Sequence, residues 1–393
     1  MDLLSMLRRR TEQAEVYRIQ SESTEISFEA NRMKSAGTEE TQGVALRALV
    51  NGRLGFTAAA GHVVEEELVE NLLASAEFGD EVPIRFPASS AGEPVQVYDP
   101  KLAEVPIATL VDIGHEIVQR LLDVDQDAKI DVSIERGLYQ AWLQNSAGAD
   151  TYDRVSSLSV SVSVERVRGD DVLMTYDGTS GISLSEDYRQ VIARLADKLE
   201  LAKKAASLPS GRMPVLFSPK GAMVLMWPLV QAINGQNVQR GTSPLGNRQG
   251  ELVFDRRLTL WDDPLLPGRP RSSSHDEEGV PCYRKAPIQE GVCTGFLYDL
   301  RTATLMGTES TGNGSRSLFS PPSPAPSNLV VQAGETPLQE VIAGIEQGLL
   351  VEDVLGLGQG NPLSGVFSNT LGLAFVISHG EIVGRVKDLS IAG

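Results

Sequence analysis

The chain is predicted to be an α+β protein, with an N-terminal antiparallel sheet and helices in two similar halves, followed by a mostly β C-terminal domain. Three observations lead to this. Residues 157–164, SLSVSVSV, alternate strictly with period two, as a strand with one buried and one wet face does. Val44, Leu46, Ala48 and Val50 alternate up to Asn51-Gly52, a pair that closes type I′ hairpins, and Leu54 and Phe56 resume on the return. An order of strands followed by an amphipathic helix occurs twice before residue 209, whereas the chain from Met213 onward is rich in Gly and Pro and punctuated by turns.

In chain order, Ala14–Glu22 and Thr24–Ala30 alternate as two strands. After the hairpin, Val64, Leu68 and Leu72 share one face of an acidic helix. Phe86–Pro100, dominated by Pro, Ser, Ala and Gly, predicts a linker or long loop. A helix over Ala108–Leu122 leads to strands at Lys129–Glu135, Leu138–Asn145 and Ser156–Arg166, and Tyr188, Ile192, Leu195 and Leu199 fall in register on a long helix. In the remainder the clearest helix begins at Thr336, where Thr336-Pro337-Leu338-Gln339 reads as a capping box with Pro at the first helical position. Leu338, Val341, Ile342 and Ile345 share its face. The proline-rich Ser320–Ser327 lacks the donors a central strand requires and predicts an extended surface loop. The expected division is 1–100, 101–209 and 210–393, the last mostly β.

Charge narrows the function. With 35 Lys and Arg against 52 Asp and Glu the formal net charge is −17, and the longest basic cluster is Arg8-Arg9-Arg10. A nucleic-acid surface needs clustered cations to displace counterions, so direct DNA binding is disfavoured. Two cysteines, Cys282 and Cys293, without a paired CxxC or histidine pair, point away from a disulfide scaffold and from a zinc site there. The opening residues carry no apolar run long enough for a signal segment, and no stretch of about 18 apolar residues follows. A cytoplasmic location is expected.

Histidine is scarce: His62, His115, His275 and His379. His115-Glu116 opens like an HExxH zinc helix, but the fourth position is Gln119, one ligand short. There is no nucleophile elbow, and Gly356-Leu357-Gly358-Gln359-Gly360 lacks dinucleotide spacing and reads as a turn. Asp262-Asp263 with His275-Asp276-Glu277-Glu278 leaves two readings open. These side chains could bind a divalent cation or supply a general acid and base, or they could be turn and cap residues that bind nearby backbone N–H groups.

The run from Asn234 to Arg316 holds, in order, Gly241-Thr242-Ser243, Asp262-Asp263-Pro264, Asp276-Glu277-Glu278-Gly279-Val280-Pro281, Gly295-Phe296-Leu297-Tyr298-Asp299 and Ser310-Thr311-Gly312-Asn313-Gly314. In this order it resembles the third domain of the TldD/PmbA family, formerly called modulators of DNA gyrase. The resemblance extends to the early hairpin region, to Asn145-Ser146-Ala147-Gly148 and to Gly358–Ser368. In the TldD branch an HExxxH metal motif precedes an Arg-Gly-Thr-Ser motif. Counting back from Arg240-Gly241-Thr242-Ser243 places the first histidine on Met226, the glutamate on Trp227 and the second histidine on Gln231. Two imidazoles become a thioether and an amide, and the base becomes an indole with no basic lone pair. No histidine lies between His115 and His275 and no cysteine follows Cys293, so a shifted alignment restores nothing.

What the resemblance implies is the PmbA/TldE-like branch: a non-catalytic subunit of a TldD/TldE-type zinc metallopeptidase acting on unfolded or modified peptides. Zinc is expected only in a TldD-like partner. The assembly would be a heterodimer with that chain or a homodimer, with an extended peptide as substrate and neither nucleic acid nor membrane as partner. Arg240, Thr242 and Ser243, with Asp276 and Glu277 as a second group, are candidate substrate contacts. A homodimeric peptide-binding scaffold and an independent hydrolase built on His275 are the alternatives. Family members usually continue past Ile391-Ala392-Gly393 with a short apolar tail, whose absence is expected to loosen a last packing contact.

Overall fold

The structure, a computed structural model, describes every residue except Met1, Ser89, Ser90 and Gln359. The N-terminal unit runs α1 (Leu3–Leu7), β1 (Gln13–Glu29), β2 (Arg32–Val50), β3 (Arg53–Ala60), α2 (Glu65–Ala76), α3 (Pro100–Ala103), α4 (Ile107–Val124), β4 (Ala128–Asn145), β5 (Asp150–Arg168), β6 (Asp171–Gly181) and α5 (Asp187–Leu201). Its strands form one antiparallel sheet ordered β3-β2-β1-β4-β5-β6. The two expected halves are visible as two three-strand meanders, each with a helix behind it. They fuse because β1 pairs with β4 from Glu15–Asn145 to Phe28–Val132.

The strands are longer than the sequence pattern suggested. Ser23 stays in register with Glu39 and Gly137, so the two predicted strands at 14–22 and 24–30 are one. Likewise Arg136 pairs across to Thr24 and Leu158, joining 129–135 to 138–145. β6 was not anticipated: its buried Leu173 and Thr175 alternate with exposed Val172, Met174 and Tyr176, so period two carries no polarity contrast. Asn51 and Gly52 take φ of 51° and 75°, the left-handed pair that the type I′ turn requires.

Leu158, Val160, Val162 and Val164 of the alternating run point into a core with Phe28, Leu110, Ile117 and Leu121 of α4 and Leu195 and Leu199 of α5. A second core packs α1 and α2 on Val16, Val44, Leu46 and Ala48. In α2 the face is Leu68, Val69, Leu72 and Ala76; Val64 caps the helix and is exposed. Residues 91–99 form no helix or strand, as a linker should, and Ser89 and Ser90 of the predicted linker lie outside the described residues.

The C-terminal part runs β7 (Val215–Phe217), α6 (Met223–Ile233), α7 (Gly235–Gln239), β8 (Leu260–Asp262), β9 (Lys285–Gln289), β10 (Val292–Cys293), α8 (Leu300–Met306), β11 (Gly314–Ser315), β12 (Ser323–Pro324), β13 (Leu329–Val331), α9 (Leu338–Ala343), β14 (Gln347–Val354), β15 (Ser368–Ser378), β16 (Glu381–Val386) and β17 (Ser390–Ala392). The sheets are β10-β9-β8-β13, β11-β12 and β16-β15-β14-β7, with β17 on β15. Leu350, Leu373, Phe375 and Ile377 join the core under α4 and α5, so the last sheet shares its apolar interior with the N-terminal one.

Two local expectations are corrected. α9 is capped by Pro337, with no side-chain bond, rather than by a Thr336 capping box, and none of its residues is buried. Proline disfavours helical backbone in the residue before it, which delays the helix start beyond Thr336. The Ser320–Ser327 segment is not simply a surface loop. Ser323–Pro324 pair with β11, and Pro322 and Pro324 are buried. Proline lacks a donor but still offers a carbonyl, and Pro324 O accepts from Asn234 Nδ2 at 2.7 Å. Among the described residues no helix is long and apolar enough to cross a membrane.

Gly114 of α4 packs closely on this core, since a Cβ there would lie 2.2 Å from Cε2 of the buried Phe28 ring. Gly114→Ala is expected to cost about 1–3 kcal/mol through overpacking, read as a lowered urea midpoint.

Candidate functional site

Four buried charges join the N-terminal sheet to the C-terminal domain. Glu15 on β1 and Arg47 on β2 face each other in register. Arg47 Nη2 lies 3.0 Å from Glu15 Oε2, Arg47 Nη1 2.5 Å from Glu278 Oε1, and Arg316 Nη1 2.7 Å from Glu15 Oε1. All four side chains are 2% exposed or less. Two cations balance two anions, and Leu300 N donates to the remaining Glu278 oxygen at 2.7 Å. Burial pushes the Glu15 carboxyl up, but the charges of Arg316 and Arg47 outweigh it and hold the group below the usual glutamate value. Arg47 is likewise desolvated, yet Glu15 and Glu278 keep it charged. Each guanidinium also covers an aromatic ring, Arg47 over Phe86 at 4.8 Å and Arg316 over Tyr17 at 3.9 Å.

A cavity of about 360 Å³ opens beside this network, walled by Tyr17, Tyr139, Asp153, His275, Asp276 and Glu277 among others. The Asp276 carboxylate accepts from the backbone N–H groups of Glu278 at 3.0 Å, Val280 at 2.9 Å and Gly314 at 2.8 Å. Burial, reinforced by the Glu278 charge, still pushes Asp276 up to about 8. Glu277 accepts from Arg316 N, and burial raises it as well. Asp153 is raised by burial and has one long contact from Ser273 Oγ at 3.5 Å. The Tyr17 and Tyr139 hydroxyls lie 2.6 Å apart, and burial pushes Tyr139 up to about 12. His275 Nδ1 bonds Ser274 Oγ at 3.0 Å.

The sequence candidates separate in space. Asp276 and Glu277 share this cavity with His275. Asp262 is buried elsewhere and accepts from Asn313 Nδ2, Ser327 N and Ser327 Oγ, each at 2.7 Å, with Lys285 at 3.5 Å. Asp263 pairs with Arg284 at 3.1 Å, and Glu278 belongs to the four-charge network. The Arg240–Ser243 group lines a different region. Thr242 Oγ1 donates to Asn237 O at 3.1 Å, Ser243 Oγ to Ala232 O at 2.6 Å, and Arg240 is exposed.

Met226, Trp227 and Gln231 lie on α6. Met226 packs against the core around Leu229 and Ile233. Trp227 is 39% exposed and lines a groove of about 360 Å³ with Pro228, Leu355, Leu357, Val366 and Phe367. Gln231 Oε1 accepts from Asn237 Nδ2 at 3.3 Å. A thioether, an indole and an engaged amide do not form a zinc donor set. Among the described residues no three His, Cys, Asp or Glu side chains are grouped to hold a metal. His115 sets its ring edge-on to Phe28 at 5.0 Å, and Glu116 accepts from Tyr188 Oη at 2.8 Å and Arg189 Nε at 3.1 Å. In the 356–360 run Gly356 and Gly358 have positive φ, as in turns, while Gln359 lies outside the described residues.

Two family models match the chain: the PmbA/TldA metallopeptidase C-terminal domain over residues 210–393 and the PmbA/TldA metallopeptidase domain 1 over 14–77. The chain belongs to the PmbA/TldD family. An uncharacterized protein of Methanocaldococcus jannaschii is 24% identical over 94% of this chain and 86% of its own length. A metalloprotease of Methanothermobacter thermautotrophicus is 30% identical over 55% of this chain, and a metalloprotease TldD homolog of Haemophilus influenzae is 31% identical over 48%. Those two alignments span 48% and 39% of the relatives, less than half of each. The solved structure of TldE from Thermococcus kodakarensis superposes with a TM-score of 0.92 at 25% identity, covering 100% of this chain and 90% of that one. A Thermotoga maritima protein described as a proposed modulator of a DNA gyrase shares the fold with a TM-score of 0.90 at 21% identity and the same coverage. In this PmbA/TldD member the motifs at 276–281 and 310–314 supply Asp276, Glu277 and Gly312–Gly314 of the cavity wall and Glu278 of the charge network.

Glu15, Arg47 and Arg316 were not among the sequence candidates. The signal for one of them was present, because Arg47 interrupts VALRALV, a strand otherwise wholly apolar. A charge in such a run must find a partner.

Arg47→Met would leave Glu15 facing only Arg316 and Glu278 with no cation, at a cost of about 3–5 kcal/mol in urea unfolding. Arg257→Ala, which removes an exposed pair with Asp255, should leave the urea midpoint essentially unchanged. A pH prediction follows from Asp276, Glu277 and Asp153, whose folded pKa values are all raised. Folding then retains protons that the unfolded chain loses above about pH 4, so this contribution is complete at acid pH and is lost as pH rises through about 8. The urea midpoint should fall between about pH 5 and pH 8; a rising midpoint would contradict the assignment.

Proposed function

We propose that this chain is a non-catalytic, TldE-like subunit of a zinc metallopeptidase complex acting on unfolded or modified peptides in the cytoplasm. One observation carries the reading: in a metallopeptidase-family fold, the helix aligned with the HExxxH motif presents Met226, Trp227 and Gln231. None of these can replace an imidazole ligand or a general base. The zinc would be held by a TldD-like partner. This chain would contribute surface that closes over the partner's site and guides an extended substrate.

The exposed apolar groove beside α6 supports an assembly role. Trp227, Leu355, Leu357 and Val366 gather there, although a chain acting alone gains nothing from leaving them in water. The identity of the relatives named metalloproteases supports the peptide substrate class.

The purified chain, dialysed against trace zinc, is expected to hold none stoichiometrically by elemental analysis. It should co-elute from its native host with an HExxxH-bearing chain. One zinc per chain would overturn the reading, and co-elution with itself alone would favour a homodimeric scaffold. The chain alone is expected to show no peptidase activity; activity lost on His275→Ala would instead establish an independent hydrolase at His275.

A further inference from the structure

We propose that the cavity between the N-terminal sheet and the C-terminal domain binds the free amino terminus of a peptide, with Asp153 and Glu277 taking the α-ammonium and the Tyr17–Tyr139 hydroxyl pair donating to the first carbonyl. The peptide class rests on the proposed function, whereas the ammonium chemistry rests on the cavity wall alone.

The wall carries three carboxyl groups and the His275 imidazole, which acts on Asp153. Asp153, Asp276 and Glu277 line it, and the cationic Arg271 at its rim donates to Ser327 O at 3.1 Å and Pro326 O at 3.0 Å. Arg316 lies behind the Tyr17 ring and is directed at Glu15. Not every acid is available. Asp276 is committed to three backbone N–H groups and shapes the turn. Asp153 takes the long Ser273 contact and lies near His275, and Glu277 accepts from Arg316 N and the Ser315 hydroxyl. A carboxylate offers about four acceptor positions, so both retain capacity for an N–H donor. They are near enough to interact, since the charge of Asp153 raises Glu277 and the charge of Glu277 raises Tyr17.

The tyrosine pair provides an independent pointer. Two hydroxyls carry two hydrogens, and the single bond between them uses one. Whichever ring donates, the other hydroxyl keeps a hydrogen that no acceptor among the described residues receives. Tyr17 is buried, Tyr139 is half-buried and both rings line the cavity, so that hydrogen is within reach of a molecule held there. A buried, unused donor is costly unless something occupies it. A ligand that uses both the acids and this donor presents an acceptor close to a cation. A metal ion does not accept a hydrogen bond, and a lysine side chain carries its ammonium far from any carbonyl. The amino terminus of a peptide has both groups two bonds apart. The cavity's volume of about 360 Å³ falls in the range of small-ligand pockets, which start at about 300 Å³.

The test is calorimetric titration of the full chain with trialanine amide, N-acetyl-trialanine amide, Nα-acetyl-lysine amide and, separately, calcium and zinc salts. Trialanine amide is expected to bind, and acetylation of its amino terminus to weaken binding about tenfold or more, because a charge-assisted bond is lost. Asp153→Asn and Glu277→Gln should each weaken trialanine amide by about the same factor, and Tyr139→Phe by a few-fold. The comparison of free and acetylated peptide uses the unaltered chain and does not depend on any variant folding. Equal binding of the two, tighter binding of Nα-acetyl-lysine amide, binding of a metal ion alone, or no heat at millimolar peptide would each overturn the inference. Zinc binding would count against the proposed function as well, whereas the peptide outcomes bear neither on zinc content nor on co-elution with an HExxxH chain, so failure in the peptide arms is distinct from failure of the proposed function.

Discussion

The Glu15–Arg47–Glu278 chain of contacts, closed by Arg316, is the constraint on which the arrangement of the molecule depends. Isolated, any one of these charges would cost several kcal/mol to bury; together the two cations and two anions balance, although Arg47 Nε and Arg316 Nε and Nη2 are buried without a hydrogen-bond acceptor. Two of the four come from neighbouring strands of the N-terminal sheet and two from loops of the C-terminal domain. The network therefore fixes where those loops sit. The order of motifs along 276–316 follows from this. Asp276 holds its own turn, Glu278 reaches Arg47, and Asn313 donates to Asp262. Gly314 must lack a side chain because a Cβ would stand 2.5 Å from Glu278 Oε2, and Arg316 completes the network at Glu15.

A second polar tie works at a distance from the first. Asp171 at the start of β6 receives Arg385 of β16 and Lys387 at 3.0 Å each and Arg166 at 3.2 Å, while Asp125 takes the other side of Arg166 at 3.2 Å. Between the two ties lies the apolar interior shared by α4, α5 and the last sheet. The N-terminal sheet and C-terminal domain are thus held at three places. The cavity at their seam is walled by strands of the N-terminal sheet on one side and by loops of the C-terminal domain on the other.

How much of this was legible depends on where the information resides. Strand polarity at 157–164 and the Asn51-Gly52 turn are local properties and could be read directly. The side-chain chemistry at Met226, Trp227 and Gln231 was legible for the same reason: a thioether, an indole and an amide lack imidazole and carboxylate atoms whatever their surroundings. Long-range partners were not legible. Thr242 and Ser243 resemble substrate contacts in sequence, yet their hydroxyls are engaged with backbone carbonyls of α6 and α7. Asp262 and Asp276 look alike as acids in turns, but one is clamped by Asn313 and Ser327 and the other walls the cavity. Pro324 and Pro326 read as exposed because the pattern counts missing donors, whereas the fold uses their carbonyls.

The functional account depends on the separation of roles: a family scaffold retained here, and metal chemistry supplied by another chain. Reconstitution tests it most directly. An HExxxH-bearing TldD-like chain, this chain and their mixture would each be assayed on an unfolded peptide at equal zinc. The account predicts cleavage by the mixture well above the sum of the separate chains. Cleavage by this chain alone, or partner activity unchanged by its addition, would contradict it.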